Sequence, residues 1–143
     1  MTEKEMNLKL IIVLGRMTKS MEKALTPQIS NSGITMTQFA VLEALYHKGP
    51  LTVNEIIETT LSSSGNMGVV IRNLEKAGSV KKAVSEQDKR SRKISLTNKG
   101  EDLIAALFPE HVKDIMRAFK GLDISEKSAL IELVKKLGKS IGE

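Results

Sequence analysis

Asp88-Lys89-Arg90-Ser91-Arg92-Lys93-Ile94-Ser95-Leu96-Thr97 sets four cations around one acid and then alternates apolar, polar, apolar through Ile94, Ser95 and Leu96. Alternation with a period of two is the pattern of a half-buried strand. Upstream, Val80-Lys81-Lys82-Ala83-Val84 supplies a partner strand. The pair reads as a β-hairpin whose cationic tip lies in solvent. Such a tip suits a polyanion, because lysines and arginines that pair with phosphates release bound counterions.

The charge distribution points the same way. The chain has 143 residues and a formal net charge of +5. Between Arg72 and Lys99 there are nine Lys/Arg against three Asp/Glu, a surplus of +6, while the rest of the chain holds thirteen basic against fourteen acidic side chains. All the excess positive charge therefore sits in one segment, which is an electrostatic footprint for nucleic acid. The competing explanation is that the lysines only guard a strand edge against unwanted pairing.

Working outward, the rest of the chain punctuates itself as helices. Leu10, Leu14, Met17, Met21 and Leu25 recur at helical spacing and predict one amphipathic helix over residues 6–31, ended by Gly33. Thr35-x-x-Gln38 and Thr52-x-x-Glu55 are capping boxes, the first opening a helix that stops at Gly49-Pro50 and the second a short helix to Thr60. Serines 62 to 64 precede a helix with Met67, Val70, Ile71 and Leu74 on its apolar side, terminated by Gly78. After the hairpin, Asn98-x-x-Glu101 is expected to start a long helix, interrupted or flexed near Pro109 and ending at Gly121. Asp123-x-x-Glu126 starts the last, with Leu130, Val134, Leu137 and Ile141 along one face.

The expected fold is thus mainly α with a small β-hairpin: a winged helix-turn-helix over residues 34–100, flanked by long N- and C-terminal dimerisation helices in residues 1–33 and 101–143. The outer helices carry more apolar surface than so small a central unit can cover, and a second copy related by a two-fold axis is the economical partner. The helix over residues 63–76 would present Ser63, Ser64, Asn66, Val69 and Asn73 to solvent. Short hydroxyl and amide side chains there reach phosphates and base edges, although serines before a helix also serve simply as caps.

Composition closes off other classes. Zero Cys removes disulfides, thiolate metal sites and thiol redox sensing, and two separated histidines, His47 and His111, make a poor metal site. No metal or cofactor is expected. No apolar run approaches the ~18 residues of a membrane helix, and the N-terminus is polar, so a cytoplasmic protein without membrane partners is expected. Ser20-x-x-Lys23 matches one penicillin-binding motif without its companions, and there is neither a Gly-rich phosphate loop nor a paired-acid constellation; the chain does not read as an enzyme. One alternative stays open, a winged-helix module that binds protein or RNA without operator specificity. RNA readers usually offer aromatic platforms, and aromatic residues here are 3%.

Three blocks carry a family resemblance: Ile34-Thr35-Met36-Thr37-Gln38-Phe39-Ala40-Val41-Leu42, then Leu74-Glu75-Lys76-Ala77-Gly78-Ser79-Val80, then Asp88-x-Arg90 through Leu96-Thr97-Asn98-Lys99-Gly100. In this order they resemble the MarR family of bacterial winged-helix transcriptional regulators, the third block matching its wing signature. The resemblance implies a homodimeric, ligand-responsive regulator, most often a repressor. Its recognition helix would enter the major groove of a palindromic double-stranded DNA operator and its wing the minor groove. It implies that Asp88 orients Arg90 for the minor groove, with Lys89, Arg92 and Lys93 on phosphates. It further implies a small lipophilic or phenolic effector bound where the dimerisation helices meet the winged domain, for which Met17, Met21, Phe39, Leu107, Phe108 and His111 are the candidate linings. The plainer reading of those six is ordinary core and dimer packing. Val69 departs from the polar or basic residue usual at its position and offers contact to thymine methyls instead.

Overall fold

Thr2, Thr35, Thr52, Thr97 and Asp123 each stand just before a helix, and their side-chain oxygens accept the first free backbone N–H groups. The computed structural model describes residues 1–60, 64–84 and 92–142, with residues 64 and 65 described by backbone alone. Its elements are α1 (Glu3–Asn31), α2 (Met36–Lys48), β1 (Leu51–Thr52), α3 (Val53–Thr60), α4 (Ser64–Lys76), β2 (Val80–Val84), β3 (Arg92–Leu96), α5 (Asn98–Ala118) and α6 (Ile124–Gly142). The expected order of helices and hairpin is therefore observed, as a winged helix-turn-helix with long terminal helices.

Four details differ from the sequence reading. α1 begins at Glu3, not at residue 6, because Thr2 and Glu5 form a further capping box. The cap of α5 is Thr97, not Asn98: its Oγ1 accepts from the Gly100 N–H at 3.1 Å. α5 is not interrupted at Pro109 and ends at Ala118, not at Gly121. The proline removes one helical hydrogen bond, but Ile104, Leu107 and His111 bury the same face on both sides of it and hold the helix through. The hairpin, finally, is part of a three-stranded antiparallel sheet in the order β1-β3-β2. Leu51 pairs with Ile94 on one side of β3, and Lys82 pairs with Ile94 on the other.

One core joins these elements. Phe39, Val41, Leu42 and Leu45 of α2 meet Ile56 of α3, Met67, Ile71 and Leu74 of α4, Val80 and Ile94 of the sheet, Ile104 and Leu107 of α5, and Ile29 of α1. α5 packs on both α1 and α2. α6, in contrast, buries none of its residues. Its first turns and the end of α5 flank an open groove of about 390 Å³ lined by Ile115, Met116, Phe119, Leu122, Lys127, Leu130 and Ile131.

The α3 cap is electrostatic. The Thr52 N–H donates to Glu55 Oε1 at 3.2 Å, and the Glu55 N–H donates to Thr52 Oγ1 at 3.2 Å. The Thr52 backbone N–H, assisted by the Thr52 hydroxyl and by Lys93, holds the Glu55 carboxyl below the usual carboxylate range. A depressed folded value contributes stability above the unfolded value, and that contribution is lost as pH falls through the folded one. Glu55→Gln should therefore melt below the wild type at neutral pH, with the gap closing in acid. Thermal melts at both ends of the range check this, and a gap independent of pH would contradict it.

Candidate nucleic-acid interface

α4 presents two chemically different sides. Met67, Ile71 and Leu74 are buried, and Val70 packs against the core from its margin. Asn66, Val69, Asn73 and Lys76, spaced three or four apart, are all exposed and so form one stripe. Val69, 44% exposed, is an apolar residue on an otherwise polar stripe. Arg72 is exposed beside it. In the sequence Arg72 and Lys76 register only as charge; the helix sets Arg72 three residues from Val69 and Lys76 three from Asn73, on this side of α4. Ser63 lies outside the described residues, and the backbone of Ser64 forms the first residue of α4.

The end of α4 is closed by Gly78 at φ 78°, a conformation that suits glycine. The Gly78 N–H donates to the Glu75 carbonyl at 3.0 Å, and the Ser79 N–H donates to the Leu74 carbonyl at 2.9 Å. The chain then turns directly into the wing. β2 buries Val80 at its base and exposes Lys81, Lys82, Ala83 and Val84; β3 exposes Arg92 and Lys93 and buries Ile94. The register sets Lys81 opposite Ser95, Ala83 opposite Lys93 and Val84 opposite Arg92. Among the described residues none of Lys81, Lys82, Arg92 and Lys93 forms an ion pair. The wing tip, with Asp88, Lys89 and Arg90, lies outside the described residues. The helix stripe and the basic strands are thus consecutive in the chain and joined by one tight corner, an arrangement suited to a groove and its flanking phosphates together.

The likeness to known proteins matches this geometry. A profile of the MarR family fits residues 32–91. The chain is 38% identical over 136 residues to the uncharacterised HTH-type transcriptional regulator YkoM of Bacillus subtilis, covering 95% of this chain and 88% of that protein. It is 35% identical over 138 residues to the B. subtilis HTH-type transcriptional regulator MhqR, covering 96% and 94% respectively. The chain belongs to the MarR family. It is a DNA-binding transcriptional regulator. The fold agrees: Bordetella bronchiseptica BpsR superposes with a TM-score of 0.80 at 24% identity, over 88% of this chain and 90% of that one. No described helix is long and apolar enough to cross a membrane.

Within this MarR fold four of the six candidate effector linings, Phe39, Leu107, Phe108 and His111, lie in or against the core. Phe39 and Leu107 belong to the core. His111 is 7% exposed, and its ring lies 4.7 Å from that of Phe39. Phe108 is half-buried, packs against that core and also meets His47, with ring centroids 4.7 Å apart. Met21 is half-buried on α1, and Met17 is exposed. Among the described residues two buried side-chain atoms have no hydrogen-bond partner, His111 Nδ1 and Gln28 Oε1. They sit on α5 and α1, the helices that pack together. Gln28 had no sequence signal; its spacing alone made it an ordinary position on α1.

Because Asn66 and Asn73 touch solvent and not the core, Asn73→Ala should alter the unfolding free energy by less than about 0.5 kcal/mol. Urea denaturation measures this. A larger loss would mean that the side chain supports α4 and is not free to meet a ligand.

Proposed function

We propose that the chain acts as a homodimeric, ligand-responsive repressor that binds a palindromic operator, with residues 34–100 as its reading head and residues 1–33 and 101–143 as its dimerisation region. The observation that carries this reading is the exposed polar stripe of α4 set beside the exposed cations of β2 and β3. α4 is the recognition helix in this reading. Asn66 and Asn73 contact base edges, where asparagine pairs with adenine, and Val69 meets thymine methyls. Ser63 and Ser64 contact the backbone near the helix start. Arg92 and Lys93, joined by Lys81, Lys82, Arg72 and Lys76, neutralise phosphates.

The dimer rests on surface that the single chain leaves open. Ile11 is 74% and Ile141 76% exposed, within runs of apolar residues along the first half of α1 and the whole of α6. A contiguous apolar surface of this kind calls for a partner. A repressor acting in the cytoplasm follows from the same reading. An effector is supported by His111 Nδ1 on α5 and Gln28 Oε1 on α1, buried and without a hydrogen-bond partner among the described residues, since buried polar atoms are normally satisfied. BpsR, of the same fold, has its DNA binding regulated by 6-hydroxynicotinic acid. A small aromatic molecule with one or two polar groups, in keeping with the phenolic class expected from the sequence, suits the Phe39–His111 neighbourhood.

Arg90, from the Asp-x-Arg motif, is assigned to the minor groove. A narrow minor groove concentrates negative potential and favours a single well-aimed arginine. Arg90→Ala should weaken operator binding by about 1–3 kcal/mol, the scale of one specific contact. Asp88→Ala should do the same more weakly, and Lys89→Ala should chiefly lower the salt dependence. Titrations of the wild type and the three variants on one operator at several salt concentrations decide it; collapse in Lys89→Ala with wild-type binding in Arg90→Ala would overturn the roles.

Removing residues 124–143 takes away α6 and should convert the dimer to monomer or aggregate, with loss of tight operator binding. Two recognition helices on one face of a duplex need a separation of about 34 Å, which only the dimer fixes. Sedimentation analysis together with DNA titration tests this. A folded monomer with unchanged operator affinity would rule the arrangement out.

A further inference from the structure

Three successive carbonyls at the corner after α4 are all taken by the first residues of α5. The Lys99 Nζ donates to the Ala77 carbonyl at 2.6 Å. The Thr97 Oγ1 donates to the Gly78 carbonyl at 2.5 Å. The Thr97 N–H donates to the Ser79 carbonyl at 3.1 Å. The same Thr97 hydroxyl accepts from the Gly100 N–H at 3.1 Å, so one side chain caps α5 and holds the end of α4 at once. Contact is so close at Gly100 that a Cβ there would run into the Ser79 carbonyl oxygen and stand 2.9 Å from its carbon. Ser79 itself is buried. The last carbonyls of α4 are satisfied within its own segment, by the N–H groups of Ala77, Gly78 and Ser79. The three carbonyls that follow the helix are instead held from a segment nearly twenty residues further on.

We infer that Thr97, Lys99 and Gly100 are positioning residues for DNA recognition, forming a clasp that fixes the orientation of α4 relative to α5 before DNA arrives. The inference rests on the reading of α4 as recognition helix and adds to it the residues that aim it. α5 packs on α1 as well as on α2, so the clasp is a direct hydrogen-bonded link between the corner after α4 and the helix that runs on into the region assigned to the dimer. With the clasp intact, α4 is presented at one angle. With it loosened, the DNA complex must order α4 itself, and that ordering cost falls on binding. The cost falls on contacts that depend on angle, the base edges, more than on phosphate contacts, which tolerate displacement.

The test compares operator with random-sequence duplex at several salt concentrations, well below the melting temperature, and follows dimer mass alongside. Thr97→Val, which removes both hydrogen bonds of the hydroxyl, should lower the operator-to-random affinity ratio by about tenfold, on the scale of the net loss of one or two hydrogen bonds. Thr97→Ser, which keeps the hydroxyl, should restore it. Lys99→Met should lower the ratio while leaving the salt slope unchanged, and Lys99→Arg should restore it. Gly100→Ala should lower the ratio and the melting temperature together; the Thr97 and Lys99 variants carry the test if it fails to fold. A wild-type ratio in both Thr97→Val and Lys99→Met overturns the clasp. So does a salt slope reduced by about one in Lys99→Met, which would make Lys99 a phosphate contact. The double variant Asn66→Ala/Asn73→Ala separates the two layers. If it loses selectivity while the clasp variants keep theirs, only the clasp is wrong. If it too keeps selectivity, α4 is not the recognition helix and the clasp assignment falls with it.

Discussion

Ile94 is fully buried in the central strand of a sheet whose far end faces solvent, and the position of the wing depends on that burial. Sequestering an isoleucine side chain stabilises by roughly 1.5–3 kcal/mol. The alternative registers are worse than a mere loss of this contact. A slip of one residue along β3 would put Lys93 or Ser95 into the core, with a charge or an unpaired hydroxyl among Phe39, Leu42 and Ile71. One side chain therefore pins β3 between β1 and β2, and β3 in turn sets Arg92 and Lys93 on the solvent side. The described residues of β2 and β3 distal to Ile94 are exposed, and so are free to be polar and cationic.

The terminal helices show the opposite condition. Their sequences are as clearly helical as that of α2, yet α6 finds no core to join and α1 contributes only Ile29 to it. Helical hydrogen bonding and amphipathic periodicity are local and require no tertiary partner in order to be read. What completes the apolar face is a separate question, answered in the proposed reading by a second copy. In that reading a two-fold assembly covers α1 and α6 without adding a third layer to a small domain.

Legibility follows the range of the interaction concerned. The capping boxes at Thr35 and Thr52 are read directly because donor and acceptor lie three residues apart. The stripe on α4 is read from its period, although the placing of Arg72 and Lys76 on it needed the helix itself. β1 is two residues long and has no period to detect; only its pairing with β3 makes it a strand. Asn98-x-x-Glu101 mimics a capping box, but Thr97 wins the cap because it already lies at the end of β3, where its N–H bonds the Ser79 carbonyl. Pro109 breaks an isolated helix, and the buried face on both sides of it overrides that tendency. In the sequence Gly100 is part of a motif and nothing more; its necessity comes from the Ser79 carbonyl, which lies far along the chain and close in space.

In the proposed reading, α4 and the wing divide two tasks that a single basic helix would mix. The described solvent stripe of α4 carries amides and a valine, with cations only at its second half, whereas β2 and β3 are cationic over most of their exposed length. Amide and methyl contacts are short-ranged and sensitive to angle; phosphate pairing is long-ranged and sensitive to salt. A reader built this way gains sequence discrimination only if its helix is held still, since amides misplaced by an ångström lose their partners while lysines do not. The tight corner at Gly78 and the three carbonyls bound by α5 are where that requirement is met. In the proposed reading, selectivity is therefore a property of backbone packing behind the helix as much as of the side chains in front of it.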